Sequence, residues 1–303
     1  MAMMLVLWVL AVLTIMAGGF ALSTRRALDQ TSYARISSQA VALADGGIHY
    51  AMFMLRYPDP KERWRSDGSI YTVRFPAGEV RVRVSDEAGR LDINAAQETT
   101  LRGFFVNLLG NDEIAVRLTD AILDWRDPDS LRRLHGAEIE DYRAAGRSQR
   151  PQNRPFVAPE ELLGVLGMSP ELYARVEPFI TTWSGQDGIN PNKATLEMLR
   201  IVFRGDEQQV AQQLQLRSQS LGEQQPTANA ASPPNFQFEA AGDVAYRVLA
   251  ETLVDGELPI GVEAVLQPSG GGRGNLPFAV ATWKIITASA FPEVSSRDAL
   301  GAR

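Results

Sequence analysis

The first twenty-two residues carry no charged side chain, and this stretch constrains the chain more than any other feature. As an α-helix rising about 1.5 Å per residue, the stretch from Met1 to Leu22 would extend roughly 33 Å, about the thickness of the hydrocarbon core of a bilayer. A cleaved secretory signal needs basic residues before an apolar run of about 7 to 15 residues. Here no basic residue precedes the run, and the run is longer. The sequence therefore predicts a retained, membrane-spanning helix.

The residues after this stretch predict that the helix continues to about residue 57. The first proline is Pro58, and apolar residues before it recur near helical spacing. One helix of about 57 residues would be roughly 85 Å long, apolar all round in its first half and amphipathic in its second. A single-span anchor followed by a separate juxtamembrane helix is the alternative. The recurring residues are Ala27, Ala34, Val41, Leu43, Ile48, Ala51, Met52 and Leu55.

Composition excludes several classes of function. The chain has no cysteine and only two histidines, His49 and His135, which excludes thiol catalysis and disulfides and disfavours a Ser-His-Asp hydrolase. The net charge of −6 disfavours nucleic-acid binding, because phosphate contacts depend on clustered Lys and Arg. Metal cations or basic partners suit this charge better.

Strand patterns occur in two separate parts of the chain, with a helical block between them. Residues 69–75 and 78–85 alternate with period two and predict a hairpin, with Val80, Val82 and Val84 on one face and Arg81 and Arg83 on a solvated one. Residues 86–94 could add a short strand before Asn94 opens the helical region. Three further strands are predicted at 244–254, 260–266 and 280–287.

This order predicts an α+β protein in which an all-α domain is inserted into one antiparallel sheet domain. We expect an N-terminal helix at 1–57, the first part of the sheet domain at 58–96 and the helical insertion at 97–204. A linker rich in Gln and Pro should follow at 205–236, and the second part of the sheet domain at 237–303.

The stretch from Asp120 to Tyr142 carries seven carboxylates. Asp124, Asp127 and Asp129 fall where Pro128 should end a helix, so a chain reversal can bring their oxygens together with backbone carbonyls. Ca²⁺ is a hard cation that takes six to eight oxygen ligands, so a calcium site is one interpretation. A solvated acidic loop is the other on composition alone, and a glycosidase carboxylate pair lacks supporting aromatic or amide residues.

Two segments are similar to parts of helix-hairpin-helix modules, which bind the phosphates of nucleic acids. They are residues 163–173 and 189–194. In the first, Ser169 replaces the second glycine of the turn, and acidic residues surround it. A related fold without nucleic-acid binding is therefore the preferred interpretation, and a membrane-tethered DNA-uptake factor is the alternative function.

Several motifs together resemble the general secretion pathway protein K family, the large minor pseudopilins of bacterial type II secretion. The resemblance covers nearly the whole chain and implies a pilin-like sheet domain interrupted by helical units of the SAM or helix-hairpin-helix type. The matching segments are residues 1–13, 86–94, 124–129, 136–138 with Tyr142, 153–156 with 161–162, and 189–190.

This resemblance also implies where the protein resides. Arg25, Arg26 and Arg35 follow the apolar stretch and by themselves would place the following region in the cytoplasm. Family members are made with a basic leader that is cut after a glycine on the cytoplasmic side, and this chain begins where the mature chain would begin. That leader would supply positive charge on the cytoplasmic side of the membrane. The expectation is therefore a single-pass inner-membrane protein with a periplasmic soluble domain.

The resemblance implies assembly at the pseudopilus tip with the I- and J-type minor pseudopilins, the H-type and major pseudopilins being further candidates. It implies no enzymatic activity, no small-molecule substrate and no nucleic acid. Most pilin-like subunits have a glutamate at mature position five that meets the N-terminal amine of a neighbour. Here Leu5 stands at that position, as in K-type subunits, which suits a terminal place. Met1 and Leu5 are the expected assembly residues.

K-type subunits bind calcium in their helical domain, so the resemblance changes the preferred interpretation of the acidic stretch. The ligands it implies are Asp124, Asp127, Asp129, Glu138 and Asp141. We expect Ca²⁺ to fix the loop that follows Asp124.

Overall fold

The structure is a computed structural model that describes residues 2–220, 233, 236–239, 244–254, 258–269, 277–286 and 291. Its first element is a single continuous helix, α1 (Ala2–Leu55), of 54 residues. The prediction of one long helix is confirmed. Met1 lies outside the described residues, as does the side chain of Leu5, so their predicted assembly role stays a prediction.

The two halves of α1 have different surroundings. All described side chains before Ile36 are exposed, whereas Ala44, Ile48 and Ala51 are buried against the sheet. Gly47 allows this contact, because a Cβ there would lie 2.9 Å from the side chain of Val80. The helix therefore separates into an exposed first part, apolar up to Leu22, and a second part that forms one layer of the folded domain.

One antiparallel sheet of five strands forms the second layer. Its strands are β1 (Asp67–Phe75), β2 (Gly78–Asp86), β5 (Tyr246–Val254), β6 (Leu258–Pro268) and β7 (Phe278–Ile286), and a small parallel pair, β3 (Leu91–Asp92) and β4 (Ile180–Thr181), lies in the insertion. The order within the sheet is β1-β2-β5-β6-β7, so the strands on either side of the helical insertion pair directly. This confirms the predicted fold class.

The helical insertion has its own hydrophobic core, built around Phe104, Phe105 and Ile122 and separate from the core between α1 and the sheet. Its helices are short because glycine and proline interrupt the chain at close intervals; Gly110 ends the first of them with a left-handed conformation at φ 65°. They are α2 (Glu98–Leu109), α3 (Asp112–Arg126), α4 (Ile139–Ala144), α5 (Pro170–Val176), α6 (Leu196–Val202) and α7 (Glu207–Ser220).

The second face of the sheet differs from the prediction. The alternation is right, since Val80, Val82 and Val84 are fully buried. The arginine face, however, is not simply solvated: Arg81 Nη2 lies 2.5 Å from the Glu251 carboxylate, whose side chain is 2% exposed. The prediction was wrong because period-two alternation shows only that two faces differ, not that one of them meets water.

Asn94 does not open the helical region. α2 begins at Glu98, and the Asn94 side chain instead donates to the carbonyl of Phe156 and accepts from its N–H, at 2.9 and 2.7 Å. The predicted domain boundaries near 97, 204 and 236 stay predictions. Helix α7 occupies the first part of the expected linker, and residues 221–232 of that linker lie outside the described residues.

Candidate metal centre

Helix α3 places two aspartates under the loop that follows it. Asp120 and Asp124 are one turn apart, so they share a helix face, and they are 5% and 0% exposed. A carboxylate that is removed from water needs hydrogen-bond donors or a cation. The chain after α3 supplies donors by folding back over this face.

Backbone N–H groups of the loop donate to both aspartates. The N–H of Arg133 lies 3.2 and 3.3 Å from the two oxygens of Asp124, and that of His135 lies 3.0 Å from Oδ2 of Asp120. Gly136 makes this approach possible, because a Cβ at that position would lie 2.0 Å from Asp124 Oδ2. The loop from residue 127 to residue 137 is therefore held by buried carboxylates.

Three further acidic residues lie along the same loop. The N–H of Asp127 donates to the carbonyl of Leu123 at 3.0 Å and ends α3. Asp129 accepts from the N–H of Leu131 at 2.8 Å, and Glu138 precedes the first residue of α4. The structure thus places Asp124, Asp127, Asp129 and Glu138 along one chain reversal, and their role as metal ligands stays a prediction.

The electrostatics of these four carboxylates indicate mutual repulsion. Burial raises the pKa of Asp124 to about 6, and the negative charge of Asp127 adds to this effect. Burial, then the charges of Asp124, Asp127 and Asp129, raise the pKa of Glu138 above its usual value. In addition, Oδ1 of Asp127 and Oε1 of Glu138 are buried without a hydrogen-bond partner. A cation bound here would offset the repulsion between the carboxylates and would give the two buried oxygens a partner.

Asp141, the fifth predicted ligand, has other partners. Its Oδ2 accepts from the N–H of Glu138 at 2.9 Å and its Oδ1 from Arg132 at 2.8 Å. The hydrogen bond from the Glu138 N–H, followed by the Arg132 guanidinium, lowers the pKa of Asp141. The carboxylate therefore caps α4, and a role as a metal ligand stays a prediction.

The donor set suits a hard cation but does not form a closed cage. In the described part of the chain, no three Asp, Glu or His side chains converge closely enough to hold a metal ion. Calcium takes backbone carbonyls and waters as well as carboxylates, in flexible geometry. The residues present therefore fit calcium together with carbonyl oxygens of the loop and water. Asp127 Oδ1 and Glu138 Oε1 are the carboxylate oxygens without a hydrogen-bond partner that could bind the ion.

Asp120 and Gly136 were not among the residues predicted for the site. Asp120 could have been found from its spacing, because it lies four residues before Asp124 on the same helix. The need for a glycine at 136 could not, since the distance between this residue and Asp124 is a property of the folded loop.

The helix-hairpin-helix-like turn is packed into the helical insertion. A Cβ at Gly164 would lie 2.5 Å from the ring of Trp125, and one at Gly167 would lie 3.5 Å from Leu118. Ser169 caps α5 by accepting from the N–H of Leu172. This turn therefore serves packing and capping, and no contact of it favours the DNA-uptake alternative.

Comparisons with known proteins agree with this arrangement. Residues 83–185, which include the acidic loop, match the family model for the first domain of type II secretion system protein K. Type II secretion system protein K of Pseudomonas aeruginosa is 27% identical over 228 residues, 68% of each chain, and that of Klebsiella pneumoniae is 26% identical over 225 residues, 64% of this chain and 68% of the relative.

A solved structure has the same fold. The crystal structure of the GspK-GspI-GspJ complex from the type 2 secretion system of enterotoxigenic Escherichia coli contains a chain that matches with a TM-score of 0.59 and 18% identity, covering 87% of this chain and 100% of that one.

A long N-terminal helix whose second half packs on an antiparallel sheet defines a pilin-like subunit, here with a helical insertion between two neighbouring strands. The sequence matches specify which kind. The chain is similar to type II secretion system protein K, and its role is that of a minor pseudopilin of the secretion machinery.

The same similarity indicates the protein's place in the cell envelope. The family is a structural component of the machinery, and its members are anchored in the inner membrane. Among the described residues, α1 is the one helix whose length and composition allow it to cross a membrane.

Proposed function

We propose that this protein assembles with I- and J-type minor pseudopilins at the tip of the pseudopilus and thereby supports the export of folded proteins across the outer membrane. The observation that carries the proposal is the division of α1. Its described residues up to Leu22 are apolar and exposed in the described part of the chain, so they require lipid before assembly and neighbouring helices afterwards. The likeness to a chain of the GspK-GspI-GspJ complex supports the choice of partners. The role is structural and includes no catalysis.

Co-purification tests this proposal. A soluble form lacking residues 1–24 loses no packing contact, because every described side chain in that range is exposed. We expect it to elute in one complex with the soluble parts of I- and J-type subunits from the same organism. The matched control replaces those two with the soluble part of an unrelated pilin. Separate elution from the I- and J-type subunits at concentrations of tens of micromolar would contradict the proposal.

The second part of the proposal is that Ca²⁺ binds the loop after α3 through Asp124, Asp127, Asp129 and Glu138. The support is the pair of partnerless buried oxygens on Asp127 and Glu138, together with the raised pKa of Asp124. When bound, the ion would neutralise these carboxylates. The chain's own part is to hold them on one reversal through Gly136 and the backbone donors of Arg133 and His135.

Calcium titration tests this part. Free Ca²⁺ at about 100 times its dissociation constant should stabilise the protein by about 2.7 kcal/mol, a rise in melting temperature of about 4 °C for a chain of this size. Asp127→Asn should abolish most of the rise. Glu113→Gln is the control, because that carboxylate is also on α3 but is exposed and pairs only with Arg117. No heat of binding and no shift in the unmodified protein would contradict the proposal.

A further inference from the structure

The last strand of the sheet, β7, has an outer edge that no described strand pairs with. It is bonded only to β6 within the described residues, and it stands at the end of the strand order. Its side chains from Ala279 to Ile285 are all exposed, on both faces of the sheet. Such an edge presents a row of main-chain N–H and C=O groups that can accept another strand.

A bulge in the sheet gathers the apolar side chains of β7 on one face. The register skips one residue, so that Val280 pairs with Leu266 and Trp283 with Ala264. Ile285 pairs with Val262, and all three β6 partners are fully buried on the face that α1 covers. Val280, Trp283 and Ile285 therefore form one strip, which we call the β7 strip, and they are 51%, 46% and 51% exposed.

The helix does not cover this strip. α1 packs over β2, β5 and β6, and it reaches β7 through the hydrogen bond from Trp283 Nε1 to Asp45 at 3.2 Å. The charged residue of β7, Lys284, lies on the opposite face and pairs with Glu263 at 3.0 Å. No charged side chain of β7 therefore interrupts the strip.

The other edge of the same sheet differs, because a preceding loop covers the start of β1. Beside β1, Trp64 stacks on Tyr71 with ring centroids 4.1 Å apart, and the N–H of Arg65 donates to the Tyr71 hydroxyl at 2.7 Å. Covering loops are one of the usual means of blocking an edge.

We infer that β7 is a docking surface for an extended β-strand of a neighbouring pseudopilin, which would enlarge the sheet and cover the β7 strip with apolar side chains at alternate positions. A strand is the occupant that fits, because a helix satisfies its own backbone groups and leaves the edge unpaired. Nine residues of β7 offer about 30 Å of ladder. The choice of a pseudopilin as the source rests on the proposed function.

Single cysteines test this inference cleanly because the chain has none of its own. Full-length protein carrying Val280→Cys or Ile285→Cys would be labelled with a maleimide, in detergent, alone and in complex with full-length I- and J-type subunits. We expect complex formation to slow labelling at both positions at least tenfold. Arg74→Cys is the reference site, because this exposed residue belongs to the opposite edge strand β1, and its labelling should change less than twofold.

A second variant measures affinity. Ile285→Lys places a charge in the β7 strip and should weaken the complex at least tenfold, whereas Thr282→Lys, on the opposite face of the same strand, should weaken it less than threefold. Normal complex formation with unchanged labelling at 280 and 285 overturns the docking surface and leaves the proposed function intact. The absence of any complex with the unmodified chain overturns both.

Discussion

Arg247→Met is expected to lower the free energy of unfolding by about 3–5 kcal/mol, the usual result of removing one partner from a buried charge network. Arg247 lies on β5, on the face away from α1, and its side chain is 8% exposed. Its Nε donates to the fully buried carboxylate of Glu87 at 2.8 Å, and Nη1 lies 3.4 Å from Glu263 and 3.6 Å from Glu177. The network joins the sheet to the helical insertion.

The charges in this network keep each other ionised. Burial by itself would lower the pKa of Arg247, but Glu87 and Glu263 raise it above the usual value. Burial would likewise raise the pKa of Glu87, yet Arg247 and then Arg90 hold it below the usual range. Without Arg247, Glu87 would remain buried with Arg90 as its remaining cation, 3.9 Å away.

Urea unfolding of the form lacking residues 1–24 measures this effect. Lys284→Met is the matched control, because Lys284 also pairs with Glu263 but is 48% exposed, so its loss should cost less than about 1 kcal/mol. Replacing Glu87 and Arg247 together by methionine should recover part of the loss, since no unpaired buried charge remains at Glu87. Equal effects of Arg247→Met and Lys284→Met would show that the network is not a buried one.

Gly89→Ala is the second change with a large expected effect, about 1–3 kcal/mol of destabilisation or more. A Cβ at Gly89 would lie 2.3 Å from the carbonyl oxygen of Lys193 and 2.6 Å from the backbone nitrogen of Ala194. Both are main-chain atoms that cannot rotate away. The neighbouring hydrogen bond from the Asn190 N–H to the Ala88 carbonyl, 2.7 Å long, fixes the two segments against each other.

The control for Gly89→Ala is the same exchange within α1. A Cβ at Gly46 would meet only the Phe75 ring, at 3.7 Å, which is ordinary contact. Because glycine in a helix interior costs roughly 0.5–1 kcal/mol relative to alanine, Gly46→Ala should stabilise the protein by up to that amount. Melting temperatures of the two variants should therefore move in opposite directions, and a rise for both would contradict the packing described at Gly89.

Local patterns were sufficient for most of the secondary structure. The absence of charge up to Leu22 and of proline before Pro58 predicts α1, and the period-two valines of β2 predict which face is buried. The order of elements predicts that strands separated by the helical insertion share one sheet, and the pairing of Val84 with Val248 confirms it. These properties depend on short-range periodicity and on chain order, both of which can be read directly.

The candidate metal centre was only partly accessible from sequence. The residue types and the resemblance point to Asp124, Asp127, Asp129 and Glu138, and the structure places these four around one loop. The Arg132 partner of Asp141 and the glycine required at 136 depend on how the loop crosses α3. A spacing in the sequence indicates neighbourhood along the chain but not which atom a side chain meets.

The sequence by itself determined that this chain has a long apolar helix, an α+β architecture and an acidic loop, because each follows from composition or periodicity within one segment. Only the tertiary structure decided which surfaces are buried and which remain open. Arg247 and Glu87 are 160 residues apart along the chain, and the β7 strip depends on a bulge that changes the face of Val280. Such contacts arise from the packing of distant segments, and local sequence patterns do not reveal them.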